Sequence, residues 1–391
     1  MPAKVSGMGI IAAGGFSTKE ALFDLCLHSK TLPLENGLIK IPENDFKLLV
    51  QSLPSHLLDL KSRCGVLSAL AFQAAIADAG WSLSEVSAAG FIFSSTTSQI
   101  DLWEKTLPQY SKIDSNSAAI ETSSSHQSLA TPANLLAAKF NIKGPVLHMA
   151  TSCSASLQAI AIAALWIKNK KLTRCIVGST EIHSQLTEVG FSSLRLLSKS
   201  AATPFDQSRK GINLGEASAF LCLEASDLRN DEKNWGYVRG CGLTTDAYHP
   251  TAPHPEGKGS ALALRQALCE SRIRPHEIDW IYSHGTGSIA NDFSEAVAIE
   301  NVFSNQTPVT STKPIHGHTL AASGALESVL GLMAMKKNLV LATPGLMQKD
   351  KNIHINIADK TLEKEIQFFI KNSLGFGGIN ASIVYSKQKA E

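Results

Sequence analysis

Short apolar runs alternate along the chain with stretches in which apolar residues recur at helical spacing. "LSALAFQAAIADAG" (Leu67 to Gly80) has that spacing and a terminating glycine, which predicts a helix. "FIFSS" (Phe91 to Ser95) and "VLHMAT" (Val146 to Thr151) predict strands. "MATSCSASLQAIAIAALWIKNK" (Met149 to Lys170) follows, with Leu157, Ile160, Ile162, Leu165 and Ile167 spread over several faces. A helix apolar nearly all round is normally buried inside a large fold. "RCIVGS" and "AFLCLE" predict further buried strands.

The second half repeats the theme. "GSALALRQALCES" (Gly259 to Ser271) predicts a helix, and "DWIYSHG" (Asp279 to Gly285) a strand running into a glycine turn. Helix, linker and "GFIFSS" in one block match helix, linker and "DWIYSH" in the other, which suggests an internal duplication. The expected architecture is α/β with two related halves, residues 1–230 and 231–391. The opening "MPAKVSGMGIIAAGGF" predicts a first strand and turn, because its glycines make a poor signal-peptide core. The Ser-rich piece "ETSSSHQS" (Glu121 to Ser128) predicts a surface loop.

Composition narrows the class. The 391 residues are 44% hydrophobic and 18% charged, a soluble globular balance with ample core material. A net charge of +2 gives no global attraction to nucleic acid or an anionic membrane, so an acidic partner needs a local patch. The longest apolar run, Ala159 to Ile167, is shorter than the roughly 20 residues that cross a bilayer. The seven cysteines are odd in number and include no CxxC pair. They read as reduced thiols of a cytoplasmic protein, with no zinc site expected.

Three positions carry candidate chemistry. Cys153 stands between a predicted strand and a helix, where outward-pointing N–H groups favour thiolate and can stabilise an oxyanion. On its own, a cysteine in an apolar segment is more often packing. His284 lies in "SHGTGSIANDFSE" and His318 in "STKPIHGHTLAASGALE", each beside glycine, where a ligand can approach closely. Singly, each is equally well a hydrogen-bonded structural histidine. "NSLGFGGINAS" (Asn372 to Ser382) is a third glycine turn, without the spacing of a phosphate loop.

Taken together, these motifs resemble those of the β-ketoacyl-[acyl-carrier-protein] synthases of the elongating type, in the thiolase-like superfamily. "VSGMGIIAAGG", "TSCSAS", "GFSSLRLLS", "TPFDQSRKGINLGEASAFLCLE", "TDAYHPTAPHPEG", "HGTGS..ND..E", "STKPIHGH..AASGALE" and "NSLGFGGINAS" run in family order over nearly the whole chain. The resemblance implies a thiolase-like fold of two duplicated halves in five layers, αβαβα. It implies that Cys153 takes the acyl chain as a covalent intermediate, with the N–H groups of Cys153 and Phe376 as oxyanion hole. His284 and His318 would hold the malonyl thioester carbonyl, Lys313 would polarise the site, and Glu327 would anchor the surrounding loop and helix. Thr286 and Ser288 match positions that bind the phosphopantetheine arm. Phe376 matches a gate at the acyl pocket, flanked by Gly377 and Gly378, and Asp246 and His249 match a second loop that moves with it. Lys61, Arg63 and Arg195 fall where relatives dock the acidic carrier protein; ordinary solvated charge explains them nearly as well.

Some residues depart from the family pattern. Ser288 replaces a threonine, Ala217 stands where glycine is common, and Leu374 where phenylalanine is common beside the gate. "FIFSSTTSQIDLWEK" lacks the usual glycines, and Trp103 falls near a position that faces the acyl pocket across a dimer interface. A ring there either shortens the pocket or packs the interface. The 121–128 loop lacks basic residues that some relatives use for docking.

The rivals are separable. A degradative thiolase needs a second catalytic cysteine near the C-terminus, and no cysteine follows Cys269. Initiating synthases pair cysteine with His and Asn, and the "HGTGS" and "GFGG" contexts do not fit a papain-like protease. A non-catalytic chain-length factor generally loses the nucleophile, whereas Cys153, His284, His318 and Lys313 are all present. The resemblance further implies an acyl carrier protein as partner, no cofactor, no metal, and a homodimer or a heterodimer with a related synthase or chain-length factor.

Overall fold

The computed structural model describes residues 2–14, 18–60, 62–110, 128–228 and 234–389. Eleven strands form one sheet: β1 (Ala3–Ala12), β2 (Gly90–Ser94), β3 (Val146–Met149), β4 (Arg174–Glu181), β5 (Ala217–Ala225), β6 (Gly236–Thr245), β7 (Trp280–Tyr282), β8 (Pro308–Thr310), β9 (Asn356–Ile357), β10 (Phe368–Gly375) and β11 (Ile379–Ser386). Their order is β9-β8-β7-β10-β11-β6-β1-β5-β4-β2-β3. In the first half β2 runs parallel to β3 and β4, and β5 antiparallel to β4 and β1. In the second half β7 runs parallel to β8 and β10, and β11 antiparallel to β10 and β6. The same order and sense recur, so the blocks built on "FIFSS" and "DWIYS" occupy equivalent places.

The half-sheets are joined into one hydrogen-bonded sheet. Ala3, Lys4 and Val5 of β1 pair antiparallel with Val238, Tyr237 and Gly236 of β6. Helices α3 (Ala155–Lys168) and α7 (Ser323–Lys337) pack together between the two half-sheets. Helix α1 (Arg63–Ala79) covers the outer face of the first half, and α5 (Lys258–Ser271) with α6 (Ile289–Glu300) that of the second. The result is five layers, αβαβα.

Local sequence explains the boundaries. Ser62 caps α1 by accepting the Gly65 N–H at 2.9 Å, and Gly80 ends the helix in the left-handed region at φ 64°. The strand predicted over "DWIYSHG" stops at Tyr282, so His284 lies beyond its end. Helix α3 is not buried all round. On its last turn Leu165 is 48% exposed and Lys168 reaches Glu270 at 2.7 Å, while Ile167 stays in the core. Among the described residues no helix is long and apolar enough to cross a membrane. Residues 121–127 of the predicted Ser-rich loop lie outside the described residues.

Candidate active site

Cys153 sits on a strained elbow. Strand β3 ends at Met149, Ser152–Ser154 form a single 3₁₀ turn, and α3 starts at Ala155. Ser152 adopts φ 53°, in the left-handed region that costs a non-glycine residue energy. The backbone N–H groups of Phe376 and of Cys153 itself act on the sulfur and favour its charged form. These groups and Lys313 pull its pKa down, but burial is larger, and the thiol is pushed up to about 12. The thiolate expected from a helix terminus is therefore not the resting form.

The two histidines converge on this sulfur. His318 Nε2 lies 3.2 Å from Cys153 Sγ, and its Nδ1 lies 3.1 Å from the Ser323 hydroxyl at the start of α7. The His284 ring stands edge-on to the His318 ring, with centroids 5.1 Å apart. Glu295 of α6 fixes the His284 turn by accepting the His284 and Gly285 N–H groups at 2.6 and 2.7 Å. Lys313 Nζ donates to the His284 carbonyl at 2.6 Å and to Glu327 Oε1 at 2.6 Å. It also stands 3.5 Å from His284 Nδ1. An ammonium has only donors, so Nδ1 is the acceptor and Nε2 of His284 carries the proton. Burial, reinforced by Lys313, holds His284 well below the usual histidine range and His318 at about 3. Both rings are neutral at pH 7.

A narrow cleft of about 80 Å³ opens onto the three residues. Thr286, Ser288, Asp246, Leu374 and Phe376 line it, as the resemblance implies. The Thr286 hydroxyl donates to the Ser288 hydroxyl at 3.1 Å, and Asp292 orders this turn by accepting the Thr286 N–H at 2.8 Å. Phe376 stacks on Phe191 of α4 (Gln185–Ser193), with centroids 5.4 Å apart. Two loops are stitched behind it. The Asp246 N–H donates to the Gly378 carbonyl, and the Gly377 N–H to the Pro250 carbonyl, each at 2.7 Å. Gly378 has φ +70°, and a Cβ there would fall 2.6 Å from the Asp246 Cβ.

Other expected residues are placed differently. His249 is exposed and does not line the cleft; its Nδ1 accepts the N–H groups of Thr251 and Ala252 at 3.1 Å, which shapes its own turn. Arg63 is not free for docking. It donates Nε to Glu216 Oε1 at 2.8 Å and Nη2 to Oε2 at 2.9 Å, pairs with Glu43 at 2.8 Å, and lies over the Phe46 ring. Its first-turn position aims it inward at a carboxylate that is 2% exposed. Arg195 is exposed just after α4, next to Leu196, which lines the cleft. Lys61 lies outside the described residues. Trp103 belongs to α2 (Ile100–Tyr110) and is not among the described cleft residues. Its neighbour Glu104 accepts the Gln185 and Leu186 N–H groups at 3.0 and 2.8 Å and so ties α2 to the start of α4.

Sequence reasoning missed Phe191, Ser323, Glu295 and Lys371. Lys371 is completely buried and places Nζ 2.8 Å from Glu327 Oε2. Its signal was a charge inside the apolar strand "FFIKNSLG", which a buried position tolerates only with a partner.

Residues 51–228 match the family model of the β-ketoacyl synthase N-terminal domain, and residues 235–347 that of the β-ketoacyl synthase C-terminal domain. The chain belongs to the β-ketoacyl synthase family. The chain is 33% identical to 3-oxoacyl-[acyl-carrier-protein] synthase 2 of Coxiella burnetii, over 65% of its own length and 64% of that protein. It is 35% identical to the protein of that name from Synechocystis sp., again over 65% and 64%. The matched part thus spans less than two thirds of the curated relatives' length. Among solved structures, a ketosynthase (ApeO) in complex with its chain length factor (ApeC) from Xenorhabdus doucetiae superposes with a TM-score of 0.82 at 27% identity, covering 98% of each chain. The ishigamide ketosynthase/chain length factor shares the fold of this chain, with a TM-score of 0.88 at 22% identity over 99% of each chain.

Proposed function

We propose that this chain is an elongating β-ketoacyl-[acyl-carrier-protein] synthase, an acyltransferase that condenses an acyl group held on Cys153 with a malonyl thioester. The observation that carries the reading is Cys153 Sγ lying 3.2 Å from His318 Nε2, under the Phe376 N–H and beside neutral His284. In the first step the sulfur attacks the acyl thioester carbonyl, whose oxyanion the two N–H groups stabilise. The Ser323 hydroxyl can donate or accept, so His318 can hold its proton on either nitrogen. His318 then relays the thiol proton to the departing pantetheine sulfur. In the second step the malonyl C–C bond breaks, CO₂ leaves, and its electron pair forms an enolate. The enolate oxygen accepts N–H bonds from Nε2 of His284 and of His318, which strengthen as its charge develops. The enolate carbon attacks the Cys153 thioester, the C–S bond breaks, and the departing thiolate takes one proton from solvent water, the proton that the condensation consumes. The product is a β-ketoacyl thioester two carbons longer.

No cofactor is needed, because the pantetheine arm arrives on the carrier protein. Thr286 and Ser288 are the proposed contacts for that arm, and Arg195 for the acidic carrier. Residues 1–230 and 231–391 are the proposed halves, and a cytoplasmic setting suits the chemistry. Strand β3 is an edge strand with Val146 37% exposed, a natural seat for a second copy or a related chain-length factor.

Intact-protein mass spectrometry after incubation with a panel of acyl carrier proteins tests the reading. One acyl adduct on Cys153, followed by its loss to an extended product when malonyl carrier protein is added, is expected. A protein that takes no acyl group from any member of the panel overturns it.

A further inference from the structure

Glu327 is shared. Lys313 Nζ holds its Oε1 at 2.6 Å, and Lys371 Nζ holds its Oε2 at 2.8 Å. All three side chains are buried: Glu327 and Lys371 are 0% exposed and Lys313 is 1% exposed. A buried carboxylate needs only one ammonium for neutrality, so the second leaves the group with one excess positive charge. Two unit charges in water-excluded surroundings interact far more strongly than in water, so such an excess must have a counterpart or a use.

We propose that Lys371 is a positioning and charge-setting residue of this site: it locks Glu327 from the side opposite Lys313 and supplies the positive potential against which the enolate forms at His284 and His318. The inference rests on the condensing reaction proposed above.

Lys371 lies on β10, in register with Tyr282 of β7, two residues before His284. Its ammonium donates to the Ser283 carbonyl, just past the end of β7, at 3.1 Å and to the Asn372 carbonyl of β10. The Ser283 contact holds the residue that immediately precedes His284. The charged and titratable groups that face it are Glu327 of α7, Lys313, Glu295 of α6, the Tyr282 ring at 5.4 Å, and His316, whose Nε2 is 3.9 Å from Glu327 Oε1. Its charge reaches both catalytic rings and helps keep each imidazole neutral. Burial raises the Glu295 carboxyl and so weakens it as a counter-charge; before substrate enters, the Lys–Glu–Lys group therefore keeps a positive potential, which the enolate meets. A site poised this way favours the charged transition state over the bound ground state.

Burial also lowers Lys371 to about 8, with Glu327 and Glu295 opposing the fall. The ammonium is therefore present below that value and is lost as pH rises through it. The Cys153 sulfur is shifted mainly by burial, Lys313 and Glu181, so loading is expected to depend on Lys371 less than decarboxylation does.

The test compares CO₂ release from malonyl carrier protein, between pH 6.5 and 9.5 (about the window bracketing that titration), in the full-length wild type and in Lys371→Met. Methionine keeps the apolar stem and removes the charge. The wild-type rate is expected to fall as pH passes about 8. Lys371→Met is expected to lose about tenfold at neutral pH and to lack that limb, while Cys153 still takes an acyl group. A wild type that decarboxylates at a flat rate across the range overturns the assignment, and needs no variant to do so. So does a Lys371→Met protein with the wild-type rate and the wild-type limb. A wild type that neither loads Cys153 nor releases CO₂ sinks the condensing reaction itself, a different outcome.

Discussion

Cys153 and His318 meet as two uncharged partners, Sγ to Nε2 at 3.2 Å, the thiol held up at about 12 and the imidazole down at about 3. Burial dominates both shifts and disfavours the thiolate–imidazolium pair. On the proposed mechanism, activation of Cys153 waits for a substrate carbonyl oxygen at the Cys153 and Phe376 N–H groups. Alkylation of Cys153 by iodoacetamide, followed by peptide mass mapping, should be slow at pH 7. It should speed up by about tenfold per pH unit toward pH 10, as thiolate accumulates. A plateau below pH 8 would show a resting ion pair instead.

Cys153→Ala separates the two half-reactions. It removes the acyl acceptor but leaves His284, His318 and Lys313 in place. No acyl adduct and no chain extension are expected, while CO₂ release from malonyl carrier protein continues. Normal extension by this variant would remove Cys153 as the nucleophile.

Glu327→Gln leaves two buried ammonium groups without their counter-ion. Breaking a buried ion pair from one side costs about 3–5 kcal/mol, so a large fall in Tm is expected. The two lysines hold the Glu327 carboxyl at about 2 against an ordinary 4.5. The stability this contributes is complete above the ordinary value and is lost as pH falls toward about 2. Acid titration of the wild type, followed by circular dichroism, should show that loss, and Glu327→Gln should lack it.

Arg195 and Arg63 look equivalent in sequence and should part in experiment. Arg195→Glu should raise KM for carrier-bound substrate severalfold with little change in Tm, the effect of an exposed rim charge worth about 1 kcal/mol. Arg63→Ala should instead lower Tm, because it strands Glu216 without its bidentate partner. A KM effect without a Tm effect for Arg63→Ala would restore it to the docking surface.

Trp103→Ala should lengthen the accepted acyl chain if the ring limits the pocket. The product profile from a mixed acyl panel reads this directly. Helix α2 also holds the start of α4 through Glu104, and α4 carries Phe191 under the gate. An unchanged profile removes Trp103 as a length determinant.

The elements with strong local patterns were legible in the sequence. The α1 period with its terminal Gly80, the strand at Phe91 and the apolar run after Cys153 each state their own secondary structure. Cys153, His284 and His318 were legible as a set only through their ordered motifs, because each alone is equally well structural. What was not legible depends on neighbours distant in sequence. Arg63 reads as a surface charge until Glu216 is beside it, 153 residues on. Lys371 reads as a break in an apolar strand until Glu327 and the Ser283 carbonyl surround it. The Cys153 pKa depends on a competition between burial and a few N–H groups, and no local pattern records which one wins.

The sheet order also bears on how the protein is made. The elbow at Cys153 is made 165 residues before His318. The strand after the gate turn, Ile379–Ser386, inserts in the middle of the sheet between β10 and β6. The apolar α3 is made well before α7, the helix that packs against it. A chain cut short before Ile379 lacks the strand that joins β10 to β6, and it is expected to go to chaperones or proteases instead of folding with reduced function.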